Sequence, residues 1–75
     1  MRAYVFVNVK AGKAKVVAGK LAAIKGVVQA DPCWGTPDII AVCDVKNERA
    51  LNDLVFSEIS KLPDVEHTDT HITLT

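Results

Sequence analysis

The chain has 75 residues, 49% of them hydrophobic, and nine basic side chains cancel nine acidic ones to give zero net charge. A single domain of this size buries only about 60% of its unfolded surface, so help from self-association is expected, and the charge balance argues against nucleic acid as the main partner. No apolar run approaches the roughly 20 residues that span a bilayer, and the start "MRAYVFVNVK" lacks the apolar length and cleavage site of a secretory signal, so a cytoplasmic address with no membrane contact is expected.

"AYVFVNV" (3–9) is rich in β-branched and aromatic residues and reads as a strand. "GKAKVVAGKLAAIKG" then changes to a helical period with Val17, Leu21 and Ile24 on one stripe; Gly12 suits the start and Gly26 the position just past the end. A second strand runs from about Val27 to Cys33 and leads into the loop "DPCWGTPD". A third spans Asp38 to Val45. Asn47 then caps a second helix with Leu51, Val55, Ile59 and Leu62 at spacings of four and three, ended by Pro63. "VEHTDTHITL" closes the chain as a largely alternating strand. The order is βαββαβ, with "AIKGVVQA" and "KLPDVEHT" in equivalent places, which predicts an α+β, ferredoxin-like fold: a four-stranded antiparallel sheet with two helices on one face.

With helices on one side only, alternate strand residues should be polar. Instead Val5, Val7 and Val9 alternate with Tyr4 and Phe6, and Ile39, Ala41 and Cys43 with Ile40 and Val42. A second copy packed sheet on sheet in a two-fold, barrel-like dimer would cover the surplus apolar face, with Val5, Val7, Ile40 and Val42 as the expected interface residues. Trp34 is either an assembly anchor or a lid on one end of the domain. Charge is also segregated: residues 1–30 carry Arg2, Lys10, Lys13, Lys15, Lys20 and Lys25 with no acid, whereas residues 31–75 hold all nine acids against Lys46, Arg49 and Lys61. Such halves can attract each other between subunits or form neighbouring solvated faces of one domain.

No catalytic constellation stands out and no cofactor is implied. His67 and His71 share a strand face but lie about 13 Å apart along it, too far to chelate one metal ion unaided. "GKAKVVAGKL" has the wrong spacing for a phosphate loop and Leu21 where a hydroxyl is needed. Cys33 and Cys43 form neither a CxxC pair nor a framework, and read as reduced thiols.

The loop carries a resemblance. Gly35 to Asp38 followed by "IIAV", a helix ending before Gly26-Val27, and a closing Thr68-x-Thr70 strand together resemble the ligand-binding, oligomerising (RAM) domain of the Lrp/AsnC, or feast/famine, transcription regulators across residues 1–75. The resemblance implies a dimer that assembles into octamers or similar rings and binds an amino acid between subunits. It implies backbone N–H groups of Gly35 and Thr36 for the ligand carboxylate, Asp38 for the α-ammonium, and hydroxyls from Thr68 and Thr70. The usual aromatic residue before the aspartate is Pro37 here, and the helix-turn-helix that usually precedes the domain is expected to be missing, so the chain resembles the family's stand-alone members. Read without the resemblance, Gly35 permits a positive φ, Pro37 stiffens the hairpin and Asp38 caps its backbone. Three functions follow: an effector-binding and assembly module in transcription regulation, without direct DNA binding and possible to combine with full-length Lrp/AsnC regulators; a pure assembly module; or an enzyme of the dimeric α+β barrel type.

Overall fold

The computed structural model of the protein describes residues 1–74. β1 (Arg2–Val9), α1 (Ala14–Ala22), β2 (Val27–Pro32), β3 (Ile39–Asp44), α2 (Glu48–Asp53) and β4 (Val65–Ile72) follow in the expected order. The strands form one antiparallel sheet in the order β2-β3-β1-β4, the ferredoxin-like arrangement. α2 continues without a break into a π-helical stretch, Leu54–Ile59, where the wider turn is closed by the Ser60 N–H donating to the Val55 carbonyl at 2.9 Å. No helix among the described residues is long and apolar enough to cross a membrane.

Strand parity decides what the helices cover. Ala3, Val5, Val7 and Val9 of β1 and Ile39, Ala41 and Cys43 of β3 turn toward the helices and meet Val17, Ala18 and Leu21 of α1 and Leu51, Leu54, Val55 and Ile59 of the second helix. Val5 and Val7 are therefore wholly buried within the single chain and belong to its own core, not to an intersubunit face. The opposite parity, Tyr4, Phe6, Ile40 and Val42, makes up the open face and is only partly covered. β2 and β4 frame this strip with Gln29, Asp31, His67, Asp69 and His71, so the open face is an apolar centre between polar margins rather than apolar throughout. Asn8 also lies on this face, and its buried Oδ1 is a side-chain acceptor without a hydrogen bond among the described residues.

The two halves repeat down to their turns. Gly26 (φ +101°) and Asp64 (φ +72°) occupy left-handed backbone immediately before β2 and β4, and the Val27 and Val65 N–H groups donate to the Ile24 and Leu62 carbonyls. α1 ends at Ala22, earlier than its apolar stripe suggests, so Gly26 makes this turn instead of capping the helix. A methyl group there would stand 3.2 Å from Leu54 Cδ2 and 3.4 Å from Val45 Cγ1, a second reason for glycine. Asn47 caps α2 as its sequence position requires, with Oδ1 accepting from the Ala50 N–H at 2.9 Å.

Candidate functional site

The hairpin between β2 and β3 is held by Asp38. Its carbonyl accepts from the Cys33 N–H at 2.7 Å and closes the hairpin, while its own N–H donates to the Val7 carbonyl at 3.1 Å. Its carboxylate Oδ2 accepts from the Val9 N–H at 2.8 Å. One residue thus fastens the hairpin to the end of β1, and a carboxylate does this well because a charge-assisted bond is stronger than a neutral one. The side chain of Asp38 does not cap the hairpin's own backbone, as the turn chemistry suggests, but reaches across to the end of β1.

Gly35 takes φ +119°, a conformation that favours glycine, and a cis peptide bond joins Thr36 to Pro37. Neither Gly35 nor Thr36 forms a hydrogen bond among the described residues, so both backbone donors remain available. Beside the hairpin lies an open groove of about 510 Å³, within the usual size range of small-molecule sites, lined by Lys15, Cys33, Trp34, Gly35 and Asp38 together with Ala14 and Pro32. Thr36 is exposed outside this lining. Trp34 projects from the hairpin tip with its side chain entirely in solvent.

Thr68 and Thr70 stand elsewhere. They pair with Val7 and Val5 across β1, on the helix-covered side, and Ile39 flanks Val7 from the other edge. Two strand spacings, about 10 Å, separate them from the start of β3. A single chain therefore gathers Gly35 and Asp38 but leaves the two threonines apart.

Lys15 is the lining residue that sequence reasoning missed. It read as one more solvated lysine of a basic helix. The signal was topological, because a βαββ order returns the β2–β3 hairpin to the end of the sheet at which α1 begins. Lys15 and Asp38 thus place opposite charges on one groove.

His67 and His71 are exposed on β4. The His71 ring lies 4.7 Å from that of Phe6 between centroids, and its Nε2 is 3.4 Å from Asp69 Oδ2. Among the described residues no group of three or more His, Cys, Asp or Glu side chains is placed to hold a metal ion.

Comparison with known proteins adds three findings. Residues 2–75 match the model of the Lrp/AsnC ligand binding domain. The HTH-type transcriptional regulator FL11 of Pyrococcus horikoshii is 36% identical over 74 residues, which are 99% of this chain and 48% of that protein, so the chain spans about half the length of this relative. Among solved structures, hypothetical protein PHS023 of Pyrococcus horikoshii superposes with a TM-score of 0.90 at 27% identity, covering 99% of this chain and 89% of that one. Transcriptional regulator NMB0573 of Neisseria meningitidis, solved as an L-Met complex, shares the fold with a TM-score of 0.85 at 17% identity, over 99% of this chain and 49% of that one.

Proposed function

The chain belongs to the Lrp/AsnC ligand-binding domain family, and we propose that it is a non-enzymatic effector-binding and assembly module in transcription regulation that takes a free amino acid at the Gly35–Asp38 hairpin where subunits meet. The observation that carries this reading is the groove whose lining includes Lys15, Asp38 and Gly35. A zwitterion asks for one cation or donor set and one anion, and both are present. Asp38 Oδ2 is engaged by Val9, which leaves its other oxygen for an α-ammonium. The fold's capacity for such a ligand is supported by NMB0573, a protein of the same fold solved with L-Met.

Assembly completes the proposal. The strip of Tyr4, Phe6, Ile40 and Val42 between polar margins has the pattern of an interface core and rim. A second copy packed sheet on sheet forms the dimer, dimers form a larger ring, and Thr68 and Thr70 reach a ligand only from a neighbouring subunit. Co-assembly with full-length regulators carrying the same domain gives this cytoplasmic module a route to transcription without contacting DNA.

Isothermal titration against the twenty amino acids tests the reading. Binding is expected between about 10 µM and 1 mM, roughly −4 to −7 kcal/mol. Lys15→Ala should weaken it about tenfold to a hundredfold, the scale of one charge-assisted contact. The absence of heat from every amino acid at millimolar concentration would refute effector binding. It would favour a pure assembly module, the second reading, which the use of Asp38 as a structural fastener supports.

A further inference from the structure

Lys15, Gly35 and Asp38 answer the zwitterionic head of an amino acid, and the rest of the groove lining is of another kind. It consists of Ala14, Pro32, Cys33 and Trp34, with no charge, hydroxyl or side-chain amide among them. Their hydrogen-bonding capacity is also largely spent or missing. Pro32 has no N–H, the Cys33 N–H donates to the Asp38 carbonyl at 2.7 Å, and the Cys33 thiol donates to the Asp31 carbonyl at 3.5 Å. A charged or amide side chain brought to this side of the groove would lose water and gain little in return, whereas an apolar one gives up no hydrogen bond to water. Trp34 adds the largest surface. It is the only tryptophan of the chain, and its relative exposure of 105% means that no described residue packs on its indole. The ring is therefore open to a ligand, and the bonds of Asp38 brace the hairpin that carries it.

We infer that the groove selects amino acids with a large apolar side chain, of the size of leucine, methionine or phenylalanine, and that Trp34 is the residue that sets this preference. The inference rests on the proposed effector site and names its ligand class. With the head of the ligand held by Lys15 and Asp38, its side chain runs toward Pro32 and Trp34 and takes apolar surface of both partners out of water. Size follows from the space. A groove of about 510 Å³ is far more than a zwitterionic head fills, so glycine leaves the apolar side wet. A single methylene in a closed hydrophobic pocket discriminates by roughly 10–200-fold. The groove is open and covers a side chain only in part, which puts the whole gain of leucine over glycine at about tenfold or somewhat more.

Two substitutions separate the ligand's two ends. Lys15→Ala should weaken leucine and glycine alike, because every amino acid carries the same head. Trp34→Ala should weaken leucine, methionine and phenylalanine about tenfold, down to the affinity of glycine, and leave glycine where it was, while Trp34→Phe should keep most of the preference. Calorimetry gives the affinities, with glycine measured by competition against leucine. Because the indole is fully exposed, Trp34→Ala should melt with the wild type, so its loss of affinity is not a loss of fold. The tryptophan also reports directly. Wild-type emission should move to the blue as leucine is added and stay in place with glycine, at a mass held constant by light scattering. The inference is overturned if glycine binds as tightly as leucine, or if Trp34→Ala keeps the wild-type preference. It is overturned too if an amino acid with a charged, hydroxyl or amide side chain binds tightest, which would hand the choice to Thr68 and Thr70 of a neighbouring copy. The effector site itself survives all three results. Silence from every amino acid, glycine included, would instead remove the effector site and this inference with it.

Discussion

Replacing Asp38 with alanine removes the acceptor for the Val9 N–H, a 2.8 Å bond from a residue that is itself buried. The two backbone bonds of residue 38, to Cys33 and Val7, survive the change. The loss is that of a hydrogen bond to a charged group, about 1.5–3 kcal/mol, because Val9 is left with a donor shielded from water. In a domain of this size each kcal/mol moves the melting temperature by about 4–8 °C, so alanine should lower it by about 6–24 °C. Asp38→Asn keeps an oxygen for Val9 without the charge and should recover about half of the loss, since neutral bonds contribute about 0.5–1.5 kcal/mol. Thermal unfolding followed by circular dichroism is the assay, with all variants at one protein concentration because the proposed assembly would stabilise the folded state. An alanine variant that melts with the wild type would refute the fastening role. An asparagine variant as damaged as alanine would place the stabilisation in the charge rather than in the acceptor. The same pair serves the ligand question, because an asparagine variant that keeps its fold but loses amino-acid binding separates the two uses of one carboxylate.

Val7→Asp places a charge in the chain's own core and should leave the protein unfolded or aggregated, an isolated buried charge costing several kcal/mol; a wild-type melting curve would contradict the burial described above. Burial pushes the Cys43 thiol up to about 11; a thiol reagent at pH 8 should therefore label Cys33 first and reach Cys43 only on unfolding. Because the folded form holds that proton more tightly than the unfolded chain, this group's contribution to stability is complete below about pH 9 and is lost as pH rises toward 11, which melting temperatures across that range will show. In a gel-shift assay at physiological salt, submicromolar binding of duplex DNA is not expected, since the net charge is zero and the lysine cluster is confined to the first helix region.

The repeat of halves was legible because each half spells its own turn. Apolar stripe, positive-φ residue and strand start recur as Ile24-Lys25-Gly26-Val27 and Leu62-Pro63-Asp64-Val65, and the structure gives both the same turn hydrogen bond. Element bounds were less legible. α1 stops at Ala22 although Ile24 continues its apolar stripe, because Ile24 is used as the carbonyl that closes the turn into β2. The π-helical stretch had no visible signal, as Leu51, Val55 and Ile59 fit an ordinary helical spacing. At the candidate site, Gly35 and Asp38 were readable as hairpin residues from turn chemistry, and as ligand contacts only through the family resemblance. Lys15 was not, because its role depends on which end of the sheet the hairpin returns to. Thr68 and Thr70 could be named but not placed, since the register of β4 on β1, with its irregularity at Asn8 and Val9, lies between distant segments.

Which face of the sheet meets the helices was the least determinate feature, and its outcome limits where a dimer can draw its strength. Both parities of β1 and β3 are apolar, so hydrophobicity alone does not choose between them. Shape and polar tips do. The helix-side set includes Ala3 and Ala41, which let helices approach closely, whereas the other set holds the rings of Tyr4 and Phe6 and the amide of Asn8. β4 agrees, for it aligns His67, Asp69 and His71 with Asn8, Phe6 and Tyr4, and sends Thr68 and Thr70 to the helix side. With the helix-covered valines already buried inside one chain, a second copy on the open face gains its apolar contact from Tyr4, Phe6, Ile40 and Val42. Substitutions at these four positions should act on assembly before folding, and substitutions at Val5 and Val7 on folding before assembly.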